Sequence, residues 1–421
     1  MSGLRVLIVG ASIAGPTAAY WFARAGANVT IIERFPALRT AGQNIDIRTV
    51  GVTVMRRMPG MEPAVRSKTI PLTGITLHGT NGAPIGTLLP TGNPDQQSLI
   101  SEYEIYRGDL SQILYDLTSS HPRVTYMFNT QITTLNQRDP STPITVSFTN
   151  NTTQEFDLIV AADGSNSRTR AMAFSCPVIA HTSPQNIWAA FFSIPTDLVS
   201  GDQTGHGYTA PRGRFVAIGA DPAGGNRVTL MGVYPASAAD MMVPFREALG
   251  RGENAVKRFI AEQFADAGWM TSKIIDMMMS EGTDFYANEM VRIELPSLFR
   301  GRVVCVGDAG YASGLTGMGT SLAMAGAYVL AGEIKRHGGD LEKGLTAYEE
   351  VMRGLVDKLG GVPFGVKCVM APWTRGGLWV RNMVFGVACR SGIVGSVGKY
   401  FARAFDEKGA LEEYDFGKTD Q

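Results

Sequence analysis

The 421-residue chain is 44% hydrophobic and 18% charged, enough to bury a sizeable core in one large α/β unit or two joined ones. Its 38 basic and 38 acidic residues balance, which argues against a nucleic-acid-binding surface and an acidic interaction tail. Four cysteines without a CxxC pair and five scattered histidines argue against a disulfide framework and a metal site, and fit a reducing, cytoplasmic compartment.

Taken in chain order, residues 5–9 (RVLIV) are a continuous apolar run of the buried-strand type. The turn Gly10-Ala11-Ser12-Ile13-Ala14-Gly15 follows, then a helix over 16–24 and a second strand over 28–32. Together they predict a βαβ unit, so the apolar start reads as a folded strand and not as a signal peptide. A hairpin with a type I′ turn at Asn81-Gly82 is expected over 75–88, and a helix over 107–119. Strands are expected at 124–128, 144–148 and 156–161, and a strand-and-turn pattern runs from 187 to 235. A helix over 255–267 and a buried strand over 302–306 come next. Residues 309–332 carry no charge but break at 314–319, which predicts a loop and a buried helix with no stable membrane insertion. The last stretch, 378–405, suits helices packed over the body of the protein, with a peripheral membrane contact as the alternative.

The glycine turn carries the first chemical signal. Gly10 lets the strand turn sharply, a small residue at Ser12 lets backbone approach a pyrophosphate, and Gly15 lets helix and sheet pack closely. The helix start offers N–H groups and positive potential to phosphates. Glu33 ends the second strand, where a carboxylate accepts hydrogen bonds from an adenosine ribose and repels a 2′-phosphate. These residues suit FAD and NAD equally.

Two distant motifs separate those cofactors. One is Ala162-Asp163-Gly164 at the end of the strand over 156–161; the other is Gly307-Asp308 followed by Leu315-Thr316-Gly317-Met318-Gly319. With GASIAG, Glu33-Arg34 and Tyr106-Arg107-Gly108-Asp109-Leu110, the set resembles the para-hydroxybenzoate-hydroxylase-type FAD monooxygenases. Within these it is most similar to the branch of tetracycline-inactivating oxygenases and fungal secondary-metabolite hydroxylases. The likeness runs from Gly10 to Glu333. The Gly-Asp segment is one residue shorter than the family pattern, lacks its proline, and has Tyr311 where many relatives have histidine.

The resemblance implies an α/β fold: a Rossmann-type FAD-binding domain, an interleaved β-sheet substrate domain and C-terminal helices. The expected divisions are 1–72 with 100–175 and 290–360 for FAD, 73–99 with 176–289 for substrate, and 361–421 as the helical end. It also implies roles. Glu33 would hold the adenosine ribose, Arg34 would lie beside the adenine, and Arg107 would contact FAD. Asp308 would bind the ribityl or pyrophosphate part, and Asp163 and Gly164 would shape the pyrophosphate region and the approach of NAD(P)H. Asp46 and Arg48 would lie near the flavin ring, and the helix opened by Gly317 and Gly319 would face the reduced ring's charge. Tyr208 and Arg214, with Tyr234, are candidates to face substrate.

The expected activity is hydroxylation or epoxidation of an aromatic or polyketide-type small molecule through a flavin hydroperoxide, with NAD(P)H as a transient co-substrate and O2 consumed. Such chemistry needs no Ser-His-Asp set, and no catalytic side chain is assigned from the sequence. A monomer or homodimer is expected. Rival activities on the same scaffold are a reductase, a Baeyer–Villiger oxygenase, or a non-redox cyclase or binding protein. A halogenase would need a paired-tryptophan motif, and the segment around Trp188 has only one.

Overall fold

A computed structural model describes residues 1, 3–39, 43–70, 72–90, 101–139, 141–314, 316–361, 369–391 and 411–417. The apolar runs assemble into a six-stranded sheet in the order Phe299–Arg300, Val303–Cys305, Leu158–Ala161, Arg5–Val9, Asn28–Ile32, Val124–Met127. All neighbours are parallel except the first pair. Period-two alternation sends Val6 and Ile8 to one face and Leu7 to the other. The first face is covered by the helices Ala14–Arg24 and Gly319–Arg336. The second meets a small antiparallel sheet of Ile132–Asn136, Ile144–Phe148 and Thr153–Phe156. The uncharged run 309–332 thus leads into the buried helix Gly319–Arg336, and no helix among the described residues is long and apolar enough to cross a membrane.

A second, seven-stranded sheet has the order Thr283–Ile293, Thr182–Ile194, Asn226–Val233, Arg214–Ala220, Gly205–Ala210, Ile75–His78, Pro84–Leu88. One of its faces, with Trp188, Phe192, Ile218 and Leu230, is packed under the helices Met242–Gly250, Glu253–Phe264 and Thr271–Ser280. The hairpin at Asn81-Gly82 forms, but only Gly82 is left-handed (φ +83°) and the ladder shifts register at Leu77/His78. A type I′ turn would need both central residues left-handed, so that detail of the expectation is corrected.

The ladder Asn44–Asp46 with Glu104–Tyr106 lies between the two sheets: the Tyr106 hydroxyl donates to the Ala220 carbonyl of the seven-stranded sheet (3.3 Å), and the next residue opens the helix Arg107–Ser119, which contacts Val124–Met127 of the first. The helix Arg375–Arg390 lies on the edge strand Pro84–Leu88, where a Cβ on Gly86 would stand 2.8 Å from the Cys389 sulfur. Of the helical stretch expected over 378–405, residues 392–405 lie outside the described residues. Residues 411–417 run back over the first domain core: Phe416 packs on Trp21 (ring centroids 4.7 Å apart) and Tyr414 on Tyr328 (5.1 Å).

Candidate functional site

A cleft opens at the carboxyl ends of the parallel strands, the place where open α/β sheets take ligands. Its floor is the glycine turn. Gly10 has φ +107°, and a Cβ there would come within 2.5 Å of the Ala162 carbonyl oxygen. A Cβ on Gly15 would stand 1.9 Å from the Gly10 carbonyl oxygen, so only glycine lets the helix start this close to the strand. Ser12 lines the cleft, its hydroxyl 3.4 Å from that of Ser111. The helix Ala14–Arg24 has no side-chain cap and no acidic residue in its first turn. Its leading N–H groups are therefore left for an anion.

Glu33 stands in the cleft wall. Its carboxylate accepts from the Ala11 N–H (3.0 Å) and the Phe35 N–H (3.1 Å). Two acceptor positions remain, since a carboxylate offers about four. Arg34, Arg39 and Arg107 also line this cleft. Arg34 lies over the Phe35 ring (4.8 Å), and Arg39 lies between the rings of Phe35 (5.3 Å) and Tyr286 (5.2 Å). Burial, then repulsion by Arg107 and Arg34, pulls the Arg39 guanidinium below its ordinary range. Crowded cations of this kind are relieved by a bound anion, which suits a pyrophosphate. Arg39 carried no motif and was invisible in the sequence.

The opposite wall is the Ala162-Asp163-Gly164 turn. Asp163 accepts from the Ser167 hydroxyl and from the Thr169 N–H (3.1 Å) and hydroxyl (3.0 Å). It thus braces the turn itself, while Gly164 (φ +85°) has open space where a side chain would go. Fully buried Arg170 donates to Ser165 O (2.9 Å), Val178 O (2.8 Å) and Ala309 O (2.9 Å). One guanidinium therefore ties the second motif to the Gly307-Asp308 motif.

Asp308 follows Gly307 (φ +65°), which packs between Ala14 and Ala323. Its side chain is exposed to open space, and has no hydrogen-bond partner among the described residues. The surrounding protein pushes its pKa up, and Arg107 partly offsets this. A carboxylate facing open space without a protein partner is free to accept hydrogen bonds from a ligand. Beside it Gly319 opens the helix Gly319–Arg336, again without a side-chain cap or an acidic first turn. Gly317 is left-handed (φ +71°), and Leu315 lies outside the described residues. Tyr311 turns into the core, its hydroxyl 3.4 Å from that of Tyr348. The Arg48 N–H donates to the Ser321 hydroxyl (2.8 Å), fastening the Asp46 segment to that helix start, and Arg48 pairs with Asp46 (2.9 Å). Gly10, Ser12, Glu33, Arg34, Arg107, Asp163 and Gly164 thus share one cleft. Asp308, Gly317, Gly319 and Asp46 gather next to it, around the second helix start.

A separate cavity lies on the open face of the seven-stranded sheet. Its floor is nearly without side chains. Gly207, Ala217 and Thr229 are direct cross-strand partners, as are Gly219 and Arg227 in the next row. Phe191, Phe215, Tyr106 and Glu104 rise around this floor. The Arg227 guanidinium lies over the Tyr106 ring (4.5 Å) and pairs with Asp221 (2.8 Å).

Tyr208 and Arg214 point away from it, to the helix-covered face. Buried Tyr208 accepts from the Gly268 N–H (3.2 Å), and Arg214 donates to Pro211 O (2.8 Å), Gln263 O (2.6 Å) and Asp266. Tyr234 is on that side too, its hydroxyl accepting from the Trp188 indole (3.0 Å). The expectation that these three face substrate is corrected. Alternation along each strand could have identified Phe191, Phe215 and Arg227 instead, but which face was open depended on where the helices docked.

The family described as "FAD binding domain" matches residues 3–354. An FAD-dependent monooxygenase, asL4 of Sarocladium schorii, is 34% identical over 369 residues, covering 86% of this chain and 83% of its own. Monooxygenase CTB7 of Cercospora beticola is 31% identical over 430 residues, covering 100% and 99%. Among solved structures, the tetracycline destructase Tet(55) superposes with a TM-score of 0.76 at 26% identity, over 98% of this chain and 100% of its own. Klebsiella pneumoniae HpxO, solved with FAD and uric acid, shares the fold (TM-score 0.71, 19% identity, 97% and 98% covered).

Proposed function

From the premise that the chain belongs to the FAD-binding-domain family and is an FAD-dependent monooxygenase, we propose that it uses NAD(P)H and O2 to place one oxygen atom on a planar aromatic or polyketide-type small molecule. Bound FAD would supply the redox chemistry, accepting electrons from the nicotinamide and activating dioxygen. The chain's own residues bind, orient and exclude water.

In this reading the Gly10–Gly15 turn and the start of the helix Ala14–Arg24 hold the pyrophosphate, with Arg39 and Arg107 adding positive charge. Glu33 takes the adenosine ribose and Arg34 flanks the adenine. Asp308 takes a hydroxyl or amide of the cofactor's inner half, which would give its carboxyl the partner it lacks. The uncapped start of Gly319–Arg336 would stabilise negative charge on the ring. Asp163 and Gly164 shape the turn beside which the nicotinamide passes.

The observation that carries the substrate reading is the floor of Gly207, Ala217, Gly219 and Thr229, walled by Phe191, Phe215 and Tyr106. Flat ring systems lie on such a floor with their faces covered, and Arg227 supplies positive charge for an ionised oxygen. Residence in the cytoplasm as a monomer or homodimer is part of the same reading.

The test is a purified protein and a phenol panel. A yellow protein whose NADPH oxidation quickens with a planar phenol supports the proposal. A colourless protein that does not take up FAD, or NADPH oxidation indifferent to every ligand, sinks it.

A further inference from the structure

We propose that Glu104 is the catalytic proton acceptor for the substrate, taking the proton of a phenol or enol hydroxyl on the glycine–alanine floor; this rests on the cavity being the substrate site. Glu104 stands on the ladder that joins the two sites. Its strand Glu104–Tyr106 pairs with Asn44–Asp46 in the register Asn44↔Tyr106 and Asp46↔Glu104. Asn44, Glu104 and Tyr106 line the cavity, and the next residue, Arg107, lines the dinucleotide cleft. A group here would meet the part of a bound substrate nearest the dinucleotide cleft.

Its surroundings leave it available. Directly opposite, Asp46 is occupied by Arg48 (2.9 Å). Glu104 accepts from the Asn44 amide (2.9 Å), its hydrogen-bond partner among the described residues. Across the cavity stand Arg227, paired with Asp221, and Asp284. His206 borders the cavity but its ring pairs with His78 (3.0 Å) and Asp202 (3.3 Å). Burial and the Asp46 charge raise the Glu104 carboxyl to about 7, offset in part by Asn44 and Arg48. Near neutral pH it both takes and returns a proton, as a general base should.

The step balances simply. The substrate O–H bond breaks, its proton bonds to a Glu104 carboxylate oxygen, and the electron pair stays on the substrate oxygen. Negative charge passes from Glu104 to the substrate, toward Arg227. The ring so enriched in electrons is the better acceptor of an electrophilic oxygen atom.

The test uses the FAD-loaded protein with umbelliferone, a planar bicyclic phenol whose fluorescence excitation distinguishes phenol from phenolate. At a pH about half a unit above the free dye's midpoint, wild-type protein is expected to lower the bound dye's phenolate-to-phenol ratio about threefold or more, the equivalent of half a pKa unit, because the Glu104 carboxylate accepts the phenol's hydrogen bond and repels the phenolate. Glu104→Gln is expected to bind the dye with similar affinity but leave that ratio at or above the free dye's. An equal fall in Glu104→Gln, or no fall in wild type, overturns the proposal while the cavity reading stands. Ala217→Trp, which fills the floor, is expected to abolish dye binding. Failure of wild type to bind the dye, or undiminished binding by Ala217→Trp, overturns the cavity reading and this proposal with it.

Discussion

The Glu33 carboxylate accepts backbone N–H bonds from Ala11 and Phe35, so it is oriented before a dinucleotide arrives. Substituting lysine removes both bonds and reverses the charge in a cleft already holding Arg34, Arg39 and Arg107. A hydrogen bond to a charged group contributes about 1.5–3 kcal/mol, so Glu33→Lys should weaken FAD binding by roughly tenfold to a hundredfold or more. Flavin absorbance per protein after gel filtration measures this, and unchanged flavin content would place the adenosine elsewhere. Glu104 gives a second residue-scale expectation. Its folded-state pKa, about 7, lies above the ordinary 4.5, so the folded state holds its proton more tightly than the unfolded chain. Stability from this group is fully present below the unfolded pKa and is lost as pH rises through about 7. Glu104→Gln should therefore melt a few degrees higher than wild type above pH 7 and nearly the same below pH 4.5. Melting curves displaced equally at both ends would rule this out.

At the scale of elements, the helix Ala14–Arg24 can start beside its strand only because residue 15 has no side chain. Gly15→Ala puts a Cβ on the Gly10 carbonyl, so helix and strand must separate. The cost should be about 1–3 kcal/mol of stability, as for other overpacked sites, with loss of bound flavin, read by denaturant titration and absorbance. The seven-stranded sheet makes the opposite point about two faces. Arg214 is buried under the helices, where its guanidinium satisfies two carbonyls and Asp266. Arg214→Met should cost about 1–3 kcal/mol, because the two carbonyls it satisfied lose their partner, yet leave umbelliferone affinity unchanged in protein that folds. Affinity lost in step with no change in stability would return Arg214 to the substrate side. Residue type alone could not make this distinction: a tyrosine or arginine in a strand serves either face equally well, and only the docking of Met242–Gly250, Glu253–Phe264 and Thr271–Ser280 decides which face is closed.

Over the whole molecule, the C-terminal segment 411–417 acts as a strap across the first core. Tyr414 fills the space above Gly332, donates its hydroxyl to Glu333 (2.6 Å), and donates its backbone N–H to the Tyr328 hydroxyl (3.0 Å). Arg57 donates to the carbonyls of Leu411 (3.1 Å) and Glu412 (2.8 Å). Tyr414→Ala should cost about 3 kcal/mol, the range for emptying a buried aromatic site, and a loss under 1 kcal/mol by denaturant titration would show the strap to be idle. Nothing in the sequence of this segment announced the strap, because its partners are more than 80 residues away. By itself the sequence determined the βαβ unit, through local rules: apolar runs of strand length, and glycines where a backbone must turn sharply or approach a phosphate. The family and FAD as cofactor came from the resemblance carried by four ordered motifs, since the glycine turn and Glu33 suit NAD equally. The tertiary structure decided what depends on distant surfaces meeting. It joined the Asp163 and Asp308 turns through Arg170, gathered Arg39 with Arg34 and Arg107, and made a bare sheet face into a cavity bordered by Glu104. A side chain's chemistry is written in its residue type, but burial, field and neighbours come only from packing, and these decide which carboxylate braces a turn and which one titrates near 7.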